Sequence, residues 1–76
     1  MLKEKIGAKL TSLRLERNLT QKETAIASGL SLRCYQNYER GLREPTVSNL
    51  LALAEHYAIS LDELVNDSVK TLSSQK

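Results

Sequence analysis

Four polar side chains recur at helical spacing between residues 33 and 40, and their chemistry suits hydrogen bonding to the edges of DNA bases. Arg33, Gln36, Asn37 and Arg40 lie at i, i+3, i+4 and i+7, so a helix would carry them on one face. Arginine donates a pair of hydrogen bonds to guanine, and glutamine or asparagine forms a similar pair with adenine. On a short amphipathic helix considered alone, however, a polar stripe is more often just a solvated surface.

Apolar periodicity and capping residues predict the elements that precede this row. An apolar stripe at positions 6, 10 and 13 predicts a first helix over Leu2 to Arg17, which Asn18 would end in a left-handed conformation. Thr20 and Glu23 have the spacing of a capping box, which begins a second helix. Gly29 offers the positive φ that ends this helix.

Three more helices are predicted, and no segment shows the alternation of a strand. Ser31 caps a third helix over Leu32 to Arg40, Thr46 caps a fourth, and Ser60 begins a fifth with a second capping box. The apolar face of the fourth helix is predicted to comprise Val47, Leu50, Leu51, Ala54 and Tyr57. The fold class is therefore all-α with five helices in one domain, residues 1–66. For the tail, residues 67–76, a helical extension to about Leu72 and a frayed end are both open.

Composition sets the broad class of the protein. A chain of 76 residues forms one small domain, and its three aromatic residues are all tyrosine, so the core must be mainly aliphatic. No apolar run is long enough for a membrane span, and no secretory signal is visible. A single cysteine forms no internal disulfide, and no Cys/His cluster suits a metal, so a reducing, cytoplasmic location is expected.

Charge is distributed unevenly along the chain. Residues 1–43 carry nine Lys/Arg against four Asp/Glu, a balance of +5, whereas residues 44–76 carry two against five, a balance of −3. This asymmetry gives the N-terminal part a positive face, which favours a polyanionic partner without requiring one.

The second and third predicted helices have the spacing of a helix-turn-helix. In this motif a small residue in the first helix lets the second cross closely, a glycine makes the turn, and a large residue fills the crossing. Ala25, Gly29 and Tyr35 meet these requirements in order. The polar row then lies on the outer face of the second helix of the motif, opposite Tyr35 and Tyr38.

The segment from Leu19 to Leu64 resembles the lambda-repressor-like, Xre/Cro-type helix-turn-helix family. The matching pieces, in the order and spacing of the family, are LTQKE, SGLS, YERG, REP and ISLDEL. The resemblance implies a base-reading set of Leu32, Arg33, Gln36 and Asn37. It also implies a phosphate-contacting set of Thr20, Gln21, Tyr38, Arg40 and Arg43; for Tyr38, packing alone is an equal alternative. Arg14 and Glu39 match a pair that forms a structural ion pair in several relatives.

Four positions depart from the family pattern. Leu32 has no group that could hydrogen-bond a base, although it could contact a thymine methyl group. Thr24 replaces the usual leucine, which we expect to weaken the apolar face of the second helix, and Ile26 stands where a charge is common. Ala58 occupies the usual glycine stop, where a left-handed alanine would cost about 1 kcal/mol. Of the remaining single residues, Cys34 is expected to be a partly buried filler and His56 an exposed residue without function.

The resemblance implies a sequence-specific, double-stranded DNA-binding transcriptional regulator, a repressor that binds a palindromic operator as a homodimer. Two-fold pairing on half-sites about one DNA turn apart would compensate for the modest affinity of one short helix. The expected dimer surface comprises Leu61, Val65, Val69 and Leu72. The alternative is an antitoxin or protein-interaction adaptor with the same fold. We expect no enzyme, cofactor, small-molecule ligand or membrane association, because no nucleophile–base pair or phosphate-cradling glycine loop is present.

Overall fold

Five helices account for most of residues 2 to 65, the part of the chain that the computed structural model describes. In chain order they are α1 (Leu2–Glu16), α2 (Gln21–Ala27), α3 (Leu32–Glu39), α4 (Val47–Tyr57) and α5 (Leu61–Val65). This part of the chain contains no strand, so the predicted all-α class and the number of helices are confirmed. None of its helices is both long and apolar enough to cross a membrane.

Side-chain caps begin the helices after α1 as the sequence predicted. Thr20 and Glu23 form a reciprocal capping box, in which each side chain accepts a hydrogen bond from the backbone N–H of the other residue, at 3.0 and 2.8 Å. Ser60 and Glu63 repeat this arrangement at α5, with both bonds at 3.0 Å. Ser31 and Thr46 cap α3 and α4 by accepting from the N–H three residues on.

One aliphatic core, with three buried tyrosines, holds the helices together. Its buried hydrophobic residues are Ile6, Leu10, Leu13, Ala25, Tyr35, Tyr38, Leu50, Leu53, Ala54, Tyr57 and Leu64. The predicted face of α4 needs correction: Leu53 is fully buried, whereas Leu51 and Val47 are 50% and 66% exposed. At 100° per residue, positions 50, 53, 54 and 57 form the inward stripe, and positions 47 and 51 fall on its outer flank.

Helices α1 and α3 approach each other closely at Gly7, a residue that the sequence analysis overlooked. A Cβ atom at Gly7 would lie 2.5 Å from the carbonyl oxygen of Tyr38 and 2.7 Å from that of Glu39. Glycine in a helix interior costs about 0.5–1 kcal/mol relative to alanine. Here this cost is offset because only a residue without a side chain lets α1 support the back of α3.

Two non-glycine residues adopt the left-handed conformation: Asn18, for which it was predicted, and Ala58, which takes the place of the usual glycine stop. Asn18 has φ 55° after α1, and Ala58 has φ 58° after α4. Asparagine tolerates this region through its short polar side chain, but alanine does not, so Ala58 is a strained helix stop.

Candidate nucleic-acid interface

The turn between α2 and α3 fixes the angle at which α3 crosses α2. Gly29 has φ 71°, and the N–H of Leu30 donates back to the carbonyl of Ala25 at 2.8 Å. Ala25 and Tyr35 fill the crossing and are 1% and 0% exposed. The small residue, the turn glycine and the large residue therefore occupy the positions of a helix-turn-helix, as their spacing predicted.

The outer face of α3 is open to solvent along its whole length. Leu32, Arg33 and Arg40 are exposed, and Gln36 and Asn37 are half-buried. These five residues and Leu42, which is 62% exposed, line one shallow groove. The side chains of Arg33, Asn37 and Arg40 form no hydrogen bond or ion pair with other residues in the range 2 to 65. The structure thus brings the four predicted base-reading residues together and adds Leu42, for which the sequence carried no polar signal.

The five predicted phosphate-contacting residues differ in how their side chains are engaged. Arg40 and Arg43 are exposed, whereas the hydroxyl of Thr20 is used in the cap of α2. Tyr38 lies in the core at 4% exposure, and its hydroxyl accepts a hydrogen bond from the side-chain amide of Asn49 at 2.8 Å. Tyr38 therefore has a clear packing role, and its phosphate contact stays a prediction.

Behind this face, Arg14 of α1 and Glu39 of α3 form a two-bond ion pair. Arginine Nε donates to Oε2 at 2.7 Å and Nη2 to Oε1 at 3.1 Å. The two side chains are only 13% and 6% exposed. A third nitrogen, Nη1, donates to the carbonyl oxygen of Leu19 at 3.0 Å, so Arg14 ties α1 both to α3 and to the start of the helix-turn-helix.

Three hydroxyl groups extend this ion pair into the core. Tyr35 donates to Glu39 Oε2 at 2.5 Å and lies 3.0 Å from the hydroxyl of Tyr57, which in turn reaches Thr24 Oγ1 at 3.4 Å. Thr24 is fully buried. Its replacement of the usual leucine therefore gives Tyr57 a polar partner inside the core, a role that could not be inferred without knowing which residue lies opposite.

The network shifts the pKa values of its members in the directions that hold the ion pair charged. Burial acts to raise the pKa of Glu39, but hydrogen bonds from Arg14, Tyr35 and Gln21 outweigh it, and the net shift is downward. The hydrogen bond to Glu39 raises the pKa of Arg14. Burial, with the bonds to Glu39 and Tyr57, raises the pKa of Tyr35, which therefore stays protonated and able to donate.

Two amide side chains connect this buried group to the outer face. Gln21 Nε2 donates to Glu39 Oε1 at 2.9 Å, and Gln36 Nε2 donates to Gln21 Oε1 at 3.1 Å. Gln21, predicted to contact phosphate, thus already binds two protein partners, and one of its N–H groups is left for another acceptor. No pattern in the sequence predicts this contact, because residues 21, 36 and 39 meet only when α2 and α3 cross.

His56 and Cys34 are both partly buried. His56 was predicted to be exposed but is half-buried, with its ring 4.7 Å from that of Tyr57. This prediction was wrong because the side chain of Arg17, which donates to the carbonyl oxygen of Tyr57 at 2.8 Å, lies close to that side of α4. Burial, then the charge of Arg17, lowers the pKa of His56. Cys34 is partly buried against the core. Among residues 2 to 65, no three His, Cys, Asp or Glu side chains are grouped to hold a metal ion.

The predicted dimer surface is only partly within the described residues. Leu61 and Val65 are half-buried and pack against the core, so each retains some exposed apolar surface. Val69 and Leu72 lie outside the described residues. Between α4 and α5 a shallow groove is lined by Leu51, Ile59 and Leu61, among others.

The crossing of α2 and α3 and the exposed polar face of α3 are those of a helix-turn-helix protein. Residues 10–64 match the model of the helix-turn-helix family HTH_3, and the chain belongs to this family, the lambda-repressor-like one that its motifs resemble.

Relatives and solved structures agree with this assignment. The chain is 38% identical over 62 residues to the cryptic phage CTXphi transcriptional repressor RstR of Vibrio cholerae, which covers 82% of this chain and 56% of RstR. The chain thus spans about half the length of that relative. It is 37% identical over 70 residues to the uncharacterized HTH-type transcriptional regulator y4dJ of Sinorhizobium fredii, covering 92% and 91%. It is also similar to the crystal structure of the restriction-modification controller protein C.AhdI of Aeromonas hydrophila, with TM-score 0.78, 35% identity and coverage of 82% and 94%.

Proposed function

We propose that this protein is a transcriptional repressor that binds a palindromic double-stranded DNA operator as a homodimer, with α3 in the major groove. The observation that carries the proposal is the contrast across α3. Its inner face is buried and bonded to α1 and α2. On its outer face, the side chains of Arg33, Asn37 and Arg40 form no hydrogen bond or ion pair with any described residue. The major groove of B-DNA is about 12 Å wide and admits one helix, so α3 would enter it with this outer face toward the bases.

The residue types on the outer face are suited to different bases. Arg33 is suited to guanine, Asn37 and Gln36 to adenine, and exposed Leu32 to the methyl group of thymine. Leu42, at the far end of the same groove, offers a second apolar contact. Bidentate contacts each contribute about 1–3 kcal/mol of discrimination, so Asn37→Ala should lose about that much on its preferred site.

Phosphate contacts from the start of α2 and from the end of α3 would orient α3 on the duplex. Thr20 and Gln21 precede or begin α2, and Tyr38, Arg40 and Arg43 lie around the end of α3. The excess positive charge of residues 1–43 supports this arrangement. Contacts of Arg40 and Arg43 to phosphate would carry no sequence information, so the loss of either side chain should weaken binding to every duplex alike.

A homodimer would give the affinity that one eight-residue helix lacks. Leu61, Val65, Val69 and Leu72, which follow α3 and α4 in the sequence, form its proposed surface. Two copies related by a two-fold axis would read inverted half-sites about one turn apart.

Selection of bound duplexes from a random pool, at stated salt, tests the proposal directly. We expect an inverted repeat whose half-sites lose one preferred base when Asn37 is replaced by alanine. Lys5→Ala is the matched control, because Lys5 lies beside the groove between α1 and α5 and not on α3. No enrichment from the pool would contradict DNA recognition, and a single unrepeated site would contradict the homodimer.

The second candidate is a protein-interaction module, such as an antitoxin. The exposed apolar residues Val47 and Leu51 on the outer flank of α4 favour it, since an uncovered apolar flank is typical of a protein contact. Failure of the DNA selection together with a stoichiometric protein partner would establish this alternative.

A further inference from the structure

Three side chains from α2 and α3 form a chain of hydrogen bonds that runs from the buried interior to the outer face of α3. Glu39 Oε1 accepts from Gln21 Nε2 at 2.9 Å, and Gln21 Oε1 accepts from Gln36 Nε2 at 3.1 Å. We call this chain the amide relay. Its inner end is almost fully buried, and its outer end, Gln36, lines the groove with the other base-reading residues.

The donors and acceptors of the relay can be arranged in only one order. An ionised carboxylate has no hydrogen to donate, so Gln21 must turn its NH2 group toward Glu39. Its carbonyl oxygen then faces Gln36, which must in turn present its own NH2 group. A free glutamine amide can rotate by 180° at little cost, but here the charge on Glu39 fixes both amides.

The anchor of the relay is itself held rigidly. Arg14 binds both oxygens of Glu39 at 2.7 and 3.1 Å, and Tyr35 donates to Oε2 at 2.5 Å. Because these bonds come from α1 and from within α3, the carboxylate cannot follow Gln21 if that side chain turns. Its pKa is lowered, so it stays ionised at neutral pH.

We propose that Gln21, anchored by Glu39, is a positioning residue that makes Gln36 select adenine and reject guanine. With one N–H of Gln36 held by Gln21, its carbonyl oxygen and its second N–H remain for a base. Adenine offers a donor at N6 and an acceptor at N7 in the major groove, which match this pair. Guanine offers two acceptors, N7 and O6, and a Gln36 held in this way has only one hydrogen left to donate.

The inference rests on the proposed function, so its test begins with the selected operator. Comparing the wild-type selection with that of Gln36→Ala identifies the base pair that Gln36 faces. Dissociation constants are then measured for the four duplexes that differ only at that pair. For the wild type we expect adenine to be preferred over guanine by roughly tenfold or more.

Gln21→Met then removes both bonds of the relay while keeping a side chain of similar length. Gln36 becomes free to turn, so we expect the preference for adenine over guanine to shrink to about threefold or less at this pair, with other pairs unchanged. Arg43→Gln is the matched control: it should weaken all four duplexes alike and keep their ratio. An unchanged ratio in Gln21→Met, or an equal loss of discrimination at every pair, would overturn the proposal.

Side-chain amide NMR of the free protein supplies a readout that does not depend on DNA. One Gln36 amide proton should exchange slowly with water in the wild type and quickly in Gln21→Met, while the thermal midpoint of unfolding stays within a few degrees. Equally fast exchange in both proteins would refute the relay itself. If instead the relay is seen and no duplex is enriched, the proposed DNA function fails separately.

Discussion

The inner and outer faces of α3 both carry polar side chains, but those of the inner face are bonded to other helices and most of those of the outer face are not. On the inner face, the carboxylate of Glu39 and the hydroxyl of Tyr35 are buried, and both form short hydrogen bonds with Arg14, Gln21 or Tyr57. On the outer face, Arg33 and Arg40 are exposed and pair with no residue in the range 2 to 65. The inner face therefore determines where α3 lies, and the outer face is free to determine what it binds.

This difference indicates that stability and recognition depend on different residues within a single eight-residue helix. Breaking a buried pair leaves an uncompensated charge in the core, which costs far more than losing an exposed charge. Removing an outer side chain should change the stability of the free protein little, and under the proposed function its effect is on DNA binding. A residue of one face whose substitution has the effect expected for the other face would contradict this separation.

Arg14→Met should have the largest effect, because it leaves Glu39 buried without its main partner. Removing one member of a buried ion pair typically costs about 3–5 kcal/mol, a large share of the stability of so small a domain. Chemical denaturation measures the loss. Arg17→Met is the matched control: Arg17 donates to the backbone carbonyls of Leu13 and Tyr57, pairs with the exposed Glu16 and lies 5.1 Å from the centre of the Tyr57 ring. Its removal leaves no buried charge unpaired, so a smaller loss of about 1–2 kcal/mol is expected.

The same variant has a characteristic pH dependence. The pKa of Glu39 is lower in the folded than in the unfolded chain, so the ion pair stabilises the fold above the ordinary glutamate pKa and loses this effect as the pH falls through the folded value. The stability gap between the wild type and Arg14→Met should therefore narrow on acidification. A gap that stays constant from neutral pH to pH values well below that range would show that the charge on Glu39 is not its cause.

Gly7→Ala should follow, because the new methyl group would lie 2.5 Å from a backbone carbonyl oxygen of α3. Backbone cannot rotate away as a side chain can, so α1 and α3 must separate, at a cost of about 1–3 kcal/mol. Ala8→Gly is the matched control, since Ala8 is an exposed neighbour in the same helix and should lose only about 1 kcal/mol of helix propensity. If Gly7→Ala proves as stable as the wild type, the close approach of α1 to α3 is not a constraint.

Sequence reasoning succeeded here for features that depend on near neighbours. The capping boxes at Thr20 and Ser60 and the left-handed stops at Asn18 and Ala58 involve residues within a few positions of each other. It missed features that need two helices to be placed first. The demand for glycine at position 7 and the amide relay are both of this kind, because their partners are 15 to 32 positions away in the sequence.

The candidate site was predictable to a similar degree. The 100° spacing assigned Arg33, Gln36, Asn37 and Arg40 to one face, and the structure has them in one groove, because helical spacing depends on α3 alone. Leu42 follows the end of α3 and joins the groove through the path of the chain after Gly41, which helix periodicity does not describe. The role of Thr24 required knowing that the hydroxyl of Tyr57 points at it from α4.

Arg33→Ala examines the outer face with an arginine, so that it can be compared directly with Arg14→Met. We expect the free energy of unfolding to change by less than about 0.5 kcal/mol, because Arg33 is exposed. Binding to the selected operator should lose about 1–3 kcal/mol and become less specific at one base pair. Fluorescence anisotropy on cognate and substituted duplexes measures both, and equal binding by the variant and the wild type would remove Arg33 from the base-reading set.

Ala58→Gly should give the smallest change and the only gain. Ala58 is exposed and has φ 58° and ψ 42°, a conformation that costs alanine about 1 kcal/mol and glycine almost nothing. Glycine also has more freedom in the unfolded chain, so the net gain should be about 0.5 kcal/mol. Ala52→Gly, in the right-handed interior of α4, should instead destabilise the protein. Because Ala58 lies on neither face of α3, operator affinity should stay unchanged in both variants. A change in affinity with Ala58→Gly would show that the α4–α5 junction is coupled to recognition, and the separation of stability from binding would then have to be confined to α3.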